Sequence, residues 1–417
     1  MNSWLHFFFC TFQNTFILYQ LNLCKNTNTN SYFSSVNDIP VSTWNELQCA
    51  KNVYFDPKYL VSLEKNNPQI TFLYIILLDD NKKAIAFASI QIINFHLGEI
   101  ENSLNEKFDK LKCFGRSIGI FPKLKPIKVL VCGNVFVSGE HGIFIKENQN
   151  KQKVIKDLAK AISHLTNTNK DLTKDISIYL IKDFIKESLE ITDELHELNY
   201  YSFNVEPNMV LQLDKNWNNF QDYLDAMKTK FRVKAKRALK LSCDLVVKEA
   251  SVENIKSFLP EITKLYKKVS DKADFNLGDF NLETYMSLKN KLSDKYILKT
   301  YWHQDKIVGF MSGVVNADSL DAHFVGIDYK LNRKLAIYQR MLYDYVEIAI
   351  DKQLKTINFG RTASEIKSSI GAIPQELTCY IRHKKSITNK FIKPFLSYIE
   401  PKPFVQKKPF KTKSLPN

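Results

Sequence analysis

The sequence predicts an α/β (α+β) protein made of two tandem copies of one plan, with mixed, mostly antiparallel sheets flanked by helices. Three observations predict it. The order hairpin, strand, helix, strand occurs twice, with the two helices about 180 residues apart. The chain has 417 residues, too many for one ordinary core. Its composition, 44% apolar and 12% aromatic, is that of a globular protein and argues against disorder.

The first copy opens on an irregular helical pattern over 45–63. "TFLYIILLDDNKKAIAFASIQIINF" then sets two β-rich runs around the polar turn Asp79-Asp80-Asn81-Lys82, a hairpin signature. "KVLVCGNVFVSGEHGIFI" is a further strand region, and "KVIKDLAKAISHL" is a helix with Ile155, Leu158, Ala159 and Ile162 on one face. "DISIYLI" is a strand. "YYSFNVEPNMVLQL" is extended, and its Pro207 marks an edge, a bulge or a junction.

In the second copy, the helices "VENIKSFLPEITKLYKKV" and "NLETYMSLKNKL" lead to the hairpin "YILKTYWHQDKIVGFMSGVV", which turns at 303–306. The strand "SLDAHFVGID" follows, then the helix "LAIYQRMLYDYVEIAID". That helix carries two apolar rows (Ile337, Met341, Tyr345, Ala349 and Tyr338, Leu342, Val346, Ile350), with Arg340, Asp344, Glu347 and Asp351 outward. "TINF" is the last strand. The expected organisation is a poorly structured N-terminal extension over 1–40, copies over 41–210 and 211–385, and a basic tail over 386–417.

The net charge of +15 is concentrated in two places. Residues 382–417 hold ten Lys/Arg against Glu400, and "KTKFRVKAKRALK" (228–240) holds seven with no acid, which leaves the remainder at −1. As a helix, that stretch sets Arg232, Lys236 and Lys240 in a cationic row, with Lys230, Lys234 and Arg237 widening it; an anion that screens the row is expected. A solvated face is the plainer alternative. Sequence-specific nucleic-acid readout is disfavoured, because the stretch lacks interleaved aromatics.

The seven cysteines form no C-x-x-C pair and read as reduced thiols of a cytoplasmic protein. No apolar run approaches a membrane span; the longest near the N-terminus is four residues. The tail mixes Phe with Lys, which suits either peripheral contact with an anionic membrane or docking of a C-terminal helix on the protein.

Two stretches suggest chemistry. In "INFGRTASEIKSSIGA" (357–372), Thr362 and Glu365 have capping-box spacing, and Arg361 follows a strand at a helix N-terminus, a place that attracts anions. Lys367 is either a second anion ligand or an ordinary surface lysine. In "LDAHFVG", strand alternation sets Asp321, His323 and Val325 on one face and Leu320, Ala322 and Phe324 on the other. A carboxylate beside an imidazole can deprotonate or orient an amine nucleophile; a structural polar pair is the alternative. Glu140-His141, between two glycines, line a pocket or form a tight turn. No phosphate-loop, nucleophile-elbow or metal-ligand spacing occurs.

The run from "DAHFVGIDYKLNRKLAIYQRMLYDYVEIAI" through "INFGRTASEIKSSIGA", preceded by "KFRVKAKRALK", resembles the GNAT-type acyltransferases of the Fem-like, peptidoglycan biosynthesis and recognition group. The resemblance covers roughly 220–385 well and 45–215 more loosely. It implies two tandem GNAT-like domains with acyl transfer to an amine in the second. It further implies Asp321 and His323 as catalytic residues, and Arg361, Thr362, Glu365, Lys367, Tyr338, Arg232, Lys236 and Arg237 as substrate-binding residues. The donor would be acyl-CoA or aminoacyl-tRNA, and the acceptor an anionic small molecule or carrier-linked envelope precursor. The sequence departs from the CoA-dependent members in one respect. Their glycine-containing loop before the central helix reads "DYKLNRKLAIYQ" here, without glycine, so that Lys330, Arg333 and Lys334 would have to hold phosphate by side chains. Two rival readings are a non-catalytic module that recognises an envelope precursor or RNA, and a CoA-dependent N-acetyltransferase.

Overall fold

The computed structural model describes residues 29–95, 126–272, 277–396, 401 and 403–411. Among these, thirteen strands form one sheet: β1 (Asn30–Phe33), β2 (Thr71–Leu78), β3 (Ala84–Phe95), β4 (Ile127–Cys132), β5 (Ile143–Ile145), β6 (Ile176–Phe184), β7 (Tyr201–Gln212), β8 (Val246–Glu249), β9 (Tyr296–His303), β10 (Lys306–Asn316), β11 (Ser319–Ile327), β12 (Thr356–Asn358) and β13 (Ile373–His383). Their spatial order is β1-β2-β3-β4-β6-β13-β7-β12-β11-β10-β9-β8, with β5 on β3.

The order is symmetric about the β13/β7 pair. On one side β4 and β6 are parallel, on the other β11 and β12 are parallel, and every other pairing is antiparallel. The terminal strands are exchanged. β7 follows the first half in sequence yet pairs with β12, and β13 crosses back to β6. Pro207 therefore lies inside a strand flanked on both sides. The β13/β7 register shifts between Gln375↔Asn208 and Leu377↔Val205, and this bulge accommodates a residue with no N–H.

Both hairpins turn where expected. Asp79 Oδ1 accepts from the N–H groups of Asn81 and Lys83 in the first. Gln304 and Asp305 both adopt positive φ in the second, the left-handed pair that suits a two-residue turn. The helix Lys151–Thr168, capped by Asn150, buries Leu158, Ile162 and Leu165 against the first half of the sheet. The helix Ile337–Asp351 does the same for the second half with Met341 and Val346. On the other face one core serves both halves, joining Tyr54, Tyr59 and Phe87 to Tyr285, Tyr296 and Phe310.

Three expectations need correction here. Asp344, placed outward by helical period, is only 3% exposed; it accepts from Tyr301 Oη at 2.6 Å and Arg340 Nε at 2.6 Å, because the neighbouring sheet supplies partners that period alone does not reveal. Ordered chain begins before 41: β1 pairs with β2 and buries Tyr32, although four residues are too few to show a strand pattern. The earlier N-terminal residues lie outside those described.

The tail is the third correction. Its first part does dock, as the short helices Ser386–Lys390 and Lys393–Leu396, with Ile392 and Leu396 buried. Residues 403–411, however, are not a free basic end but lie extended on the second half. Lys228 N donates to Pro409 O and Lys411 N to Ala226 O, and the buried Phe410 ring packs 5.3 Å from Trp217 and 5.8 Å from Tyr223. Gly371, at φ +108, leaves the room, since a Cβ there would lie 2.2 Å from the Phe410 ring. Phe410 thus faces a core and not a membrane. Phe410→Ala is expected to cost about 3 kcal/mol, read as a lower urea midpoint at unchanged slope. Among the described residues no helix is long and apolar enough to cross a membrane.

Candidate active site

The site is built where β11 and β12 part. They pair over Ser319↔Thr356, Leu320↔Ile357 and Asp321↔Asn358, and then diverge, with Phe359 and Gly360 continuing along β7. Asp321 stands at the branch. Just beyond it β11 bulges: Met311 pairs with Val325 but Gly313 with Ala322, so that His323 and Phe324 together oppose Ser312. The bulge keeps Asp321 and His323 on one face, as alternation predicts, but reverses the next two residues. Phe324 packs on Tyr266 and Phe280 in the shared core, and Val325 turns towards the core under the helix Ile337–Asp351.

Tyr54, from the first half, joins the pair. Its Oη donates to Asp321 Oδ2 at 3.0 Å and lies 3.3 Å from His323 Nε2. The short 3-10 turn Val53–Phe55 that carries it is fixed by Asn52 Oδ1, which accepts from Tyr54 N, and by Asn316 Oδ1, which accepts from Val53 N. Asn316 Nδ2 and Ser319 Oγ donate to the same carboxylate. Burial raises Asp321 to about 6 and lowers His323 to about 4. Near neutral pH the carboxylate is therefore ionised and accepts only. The phenol proton goes to it, so the Tyr54 oxygen must accept from a protonated His323 Nε2. His323 Nδ1 is then a bare lone pair, buried and without a partner.

His141 completes the aromatic wall, its ring 4.0 Å from that of Tyr54 and its Nδ1 3.5 Å from Asn52 Nδ2. Burial, then the nearby Lys182 charge, lowers it to about 3, so it is neutral. Of the two sequence readings of Glu140-His141, His141 lines the site, whereas Glu140 holds its own loop by accepting from Ile185 N.

The corresponding mouth in the first half is plugged. Beyond Cys132↔Ile181, where β4 and β6 part, Lys182 folds in to bond Asn134 O at 2.8 Å, Val137 O at 2.9 Å and Asp183 Oδ2 at 2.5 Å. Asp183 also pairs with Arg361. Lys182 and Arg361 hold the Asp183 carboxyl below the usual range despite its burial.

The other predicted residues are spread more widely. Lys367 is not a surface lysine: it is 4% exposed, and its Nζ donates to Gly360 O and Arg361 O, tying down a loop in which Gly360, Thr362 and Ala363 all have positive φ. Glu365 forms no capping box, because the helix Ser364–Ser369 starts from a left-handed Ala363; Glu365 pairs with Lys407 at 2.9 Å instead. Thr362 and Glu365 line a cleft of about 600 Å³ beside Gln339, Tyr343 and Phe404. The basic helix Thr229–Leu241 contributes Phe231 and Lys234 to this cleft, but not Arg232, Lys236 or Arg237, and Arg232 pairs with Asp225. Tyr338 is not part of that lining either and packs against the core of the second half. Lys330, Arg333 and Lys334 sit exposed on the helix Tyr329–Leu335, away from the cleft lining.

No family model and no curated protein matches this sequence. Solved structures do. A tandem GNAT protein from the clavulanic acid biosynthesis pathway superposes at TM-score 0.52 and 6% identity, covering 85% of this chain and 98% of that one. FemX superposes at 0.51 and 11% identity, covering 86% and 98%. The fold is a tandem GNAT fold.

Within the tandem GNAT fold, the two copies differ at the strand mouth: Lys182 fills the first, and the second presents Asp321 and His323. Sequence reasoning missed Tyr54, Asn316 and Asp183. Asp183 left a trace, a Lys-Asp pair at the end of the otherwise apolar run "ISIYLI".

Proposed function

We propose that the protein is an acyltransferase, moving an acyl or aminoacyl group from a carrier to the amine of an anionic acceptor at the mouth of the second copy. The observation that carries this reading is the His323 imidazole, with Nδ1 bare and Nε2 linked through Tyr54 to Asp321. The acceptor nitrogen attacks the acyl carbon as its proton passes to Nδ1. The C–N bond forms, the bond to the carrier oxygen or sulfur breaks, and the proton leaves with the carrier as its alcohol or thiol. The relay stabilises the transient imidazolium, as a carboxylate behind a histidine does elsewhere.

The cleft has the size of a ligand site and supplies Lys234 for an anionic donor. The loop before the helix Ile337–Asp351 offers little to a pyrophosphate. It is itself helical, Lys330 N is bonded to Asp328 Oδ1, and Tyr338 N is bonded to Asn332 Oδ1. This favours aminoacyl-tRNA over acyl-CoA, with a peptidoglycan or other envelope precursor as the acceptor class and the cytoplasm, including the inner membrane face, as the place of action. Incubation of the full chain with acyl-CoA or aminoacyl-tRNA and amine acceptors, followed by mass spectrometry, tests the proposal. An amide product is expected; binding of donor and acceptor without product in any combination points to a recognition module instead.

Activity is expected to fall as pH drops through about 6, where Asp321 takes up its proton and ceases to accept from Tyr54. The same shift acts on stability with the opposite sense. The folded carboxyl binds its proton more tightly than the unfolded one, so this group favours the fold at low pH and loses that contribution as pH rises from about 4 to about 6. A kcat/KM profile over this range checks the first statement.

A further inference from the structure

The Lys182–Asp183–Arg361 cluster holds two cations and one carboxylate, and its hydrogen bonds are unevenly satisfied. Lys182 gives its three N–H groups to Asp183, Asn134 O and Val137 O. Asp183 accepts from Lys182, Arg361, Gly139 N at 3.3 Å and Cys379 Sγ at 3.4 Å. Arg361 is different. It uses Nη2 on Asp183, while its Nε–H is buried without an acceptor and 22% of the side chain remains exposed. A buried guanidinium donor with nothing to bond is costly, and a planar fork of donors is the group that best fits an oxyanion.

The position matters as much as the charge. β11 and β12 part at Asp321↔Asn358. His323 lies two residues past the branch on one chain and Arg361 three past it on the other, each within about 10 Å of it along the backbone. His141 stands between, against Tyr54 on one side and within the field of Lys182 and Asp183 on the other.

We infer that Arg361 forms an oxyanion subsite of the second mouth, selecting acceptors that carry a carboxylate or phosphate a short distance from the reactive amine. Asp183 and Lys182 are positioning residues that hold the guanidinium. The inference rests on the mouth being the transfer site, but the binding it requires can be read without turnover.

The test is a titration of the full chain with inorganic phosphate and, separately, acetate at constant ionic strength, following the side-chain Nε–H resonance of Arg361 by NMR. Its absence in Arg361→Lys assigns the resonance, and the exposed Arg333 serves as reference. A saturable shift at Arg361 and not at Arg333 is expected; phosphate alone, acetate alone or both define the source of the oxyanion. No shift with either anion overturns the inference. In parallel, Arg361→Gln is expected to weaken binding of the effective anion about tenfold or more, Arg361→Lys less, and His323→Gln not at all. Undiminished anion binding in Arg361→Gln overturns the subsite while leaving His323-dependent transfer intact. Transfer that is undiminished in His323→Gln, with anion binding preserved, overturns the transfer reading and not the subsite.

Discussion

His323→Gln is expected to lower kcat for acyl transfer about 10²–10⁴-fold, the usual contribution of a positioned base, with an unchanged thermal midpoint. Glutamine keeps a side-chain donor for Tyr54 but has no basic nitrogen in place of Nδ1. Tyr54→Phe is expected to give a smaller loss in kcat with little change in KM, because it cuts the link to Asp321 and leaves the imidazole in place. Equal activity in wild type and His323→Gln would remove the imidazole from the chemistry. The assay is steady-state product formation with whichever donor the mass-spectrometric screen identifies.

The second large effect is on stability. Asp183→Asn is expected to destabilise the fold by about 3–5 kcal/mol, because it leaves two cations without their shared counter-ion in a buried setting. Asparagine suits the left-handed backbone of Asp183, at φ +71, so the cost is electrostatic and not conformational. Adding Lys182→Met should recover part of it, since one of the uncompensated charges is then gone. Urea unfolding of the single and double variants measures both; additive or near-zero effects would show that the cluster is not coupled.

What could be read from the sequence was set by distance along the chain. Hairpins and amphipathic helices follow from spacing within about ten residues, and those over 71–95, 151–168, 296–316 and 337–351 are where periodicity places them. The pairing of β13 with β6 joins residues nearly two hundred positions apart, and no local pattern encodes it. The site divides in the same way. Asp321 and His323 lie two apart on one strand, and alternation found them together. Tyr54, which links them, comes from a 3-10 turn 267 positions away, too short to have a period. The bulge at His323 and Phe324 was equally hidden, since an inserted residue leaves no mark in one strand's sequence. Lys367 and Asp344 were misjudged for a related reason. Position on a helix sets direction, but burial depends on the elements laid against it, here the Gly360–Arg361 carbonyls and Tyr301.

The proposed chemistry depends on one nitrogen carrying a lone pair, His323 Nδ1, buried beside Tyr54 where β11 and β12 part. Ring ¹⁵N NMR of His323 reports it directly. A signal of an unprotonated Nδ1 and a protonated Nε2, persisting from pH 8 down to about 6, where Asp321 is ionised, is the expected result. A doubly protonated ring at pH 7, or a proton on Nδ1, would contradict it.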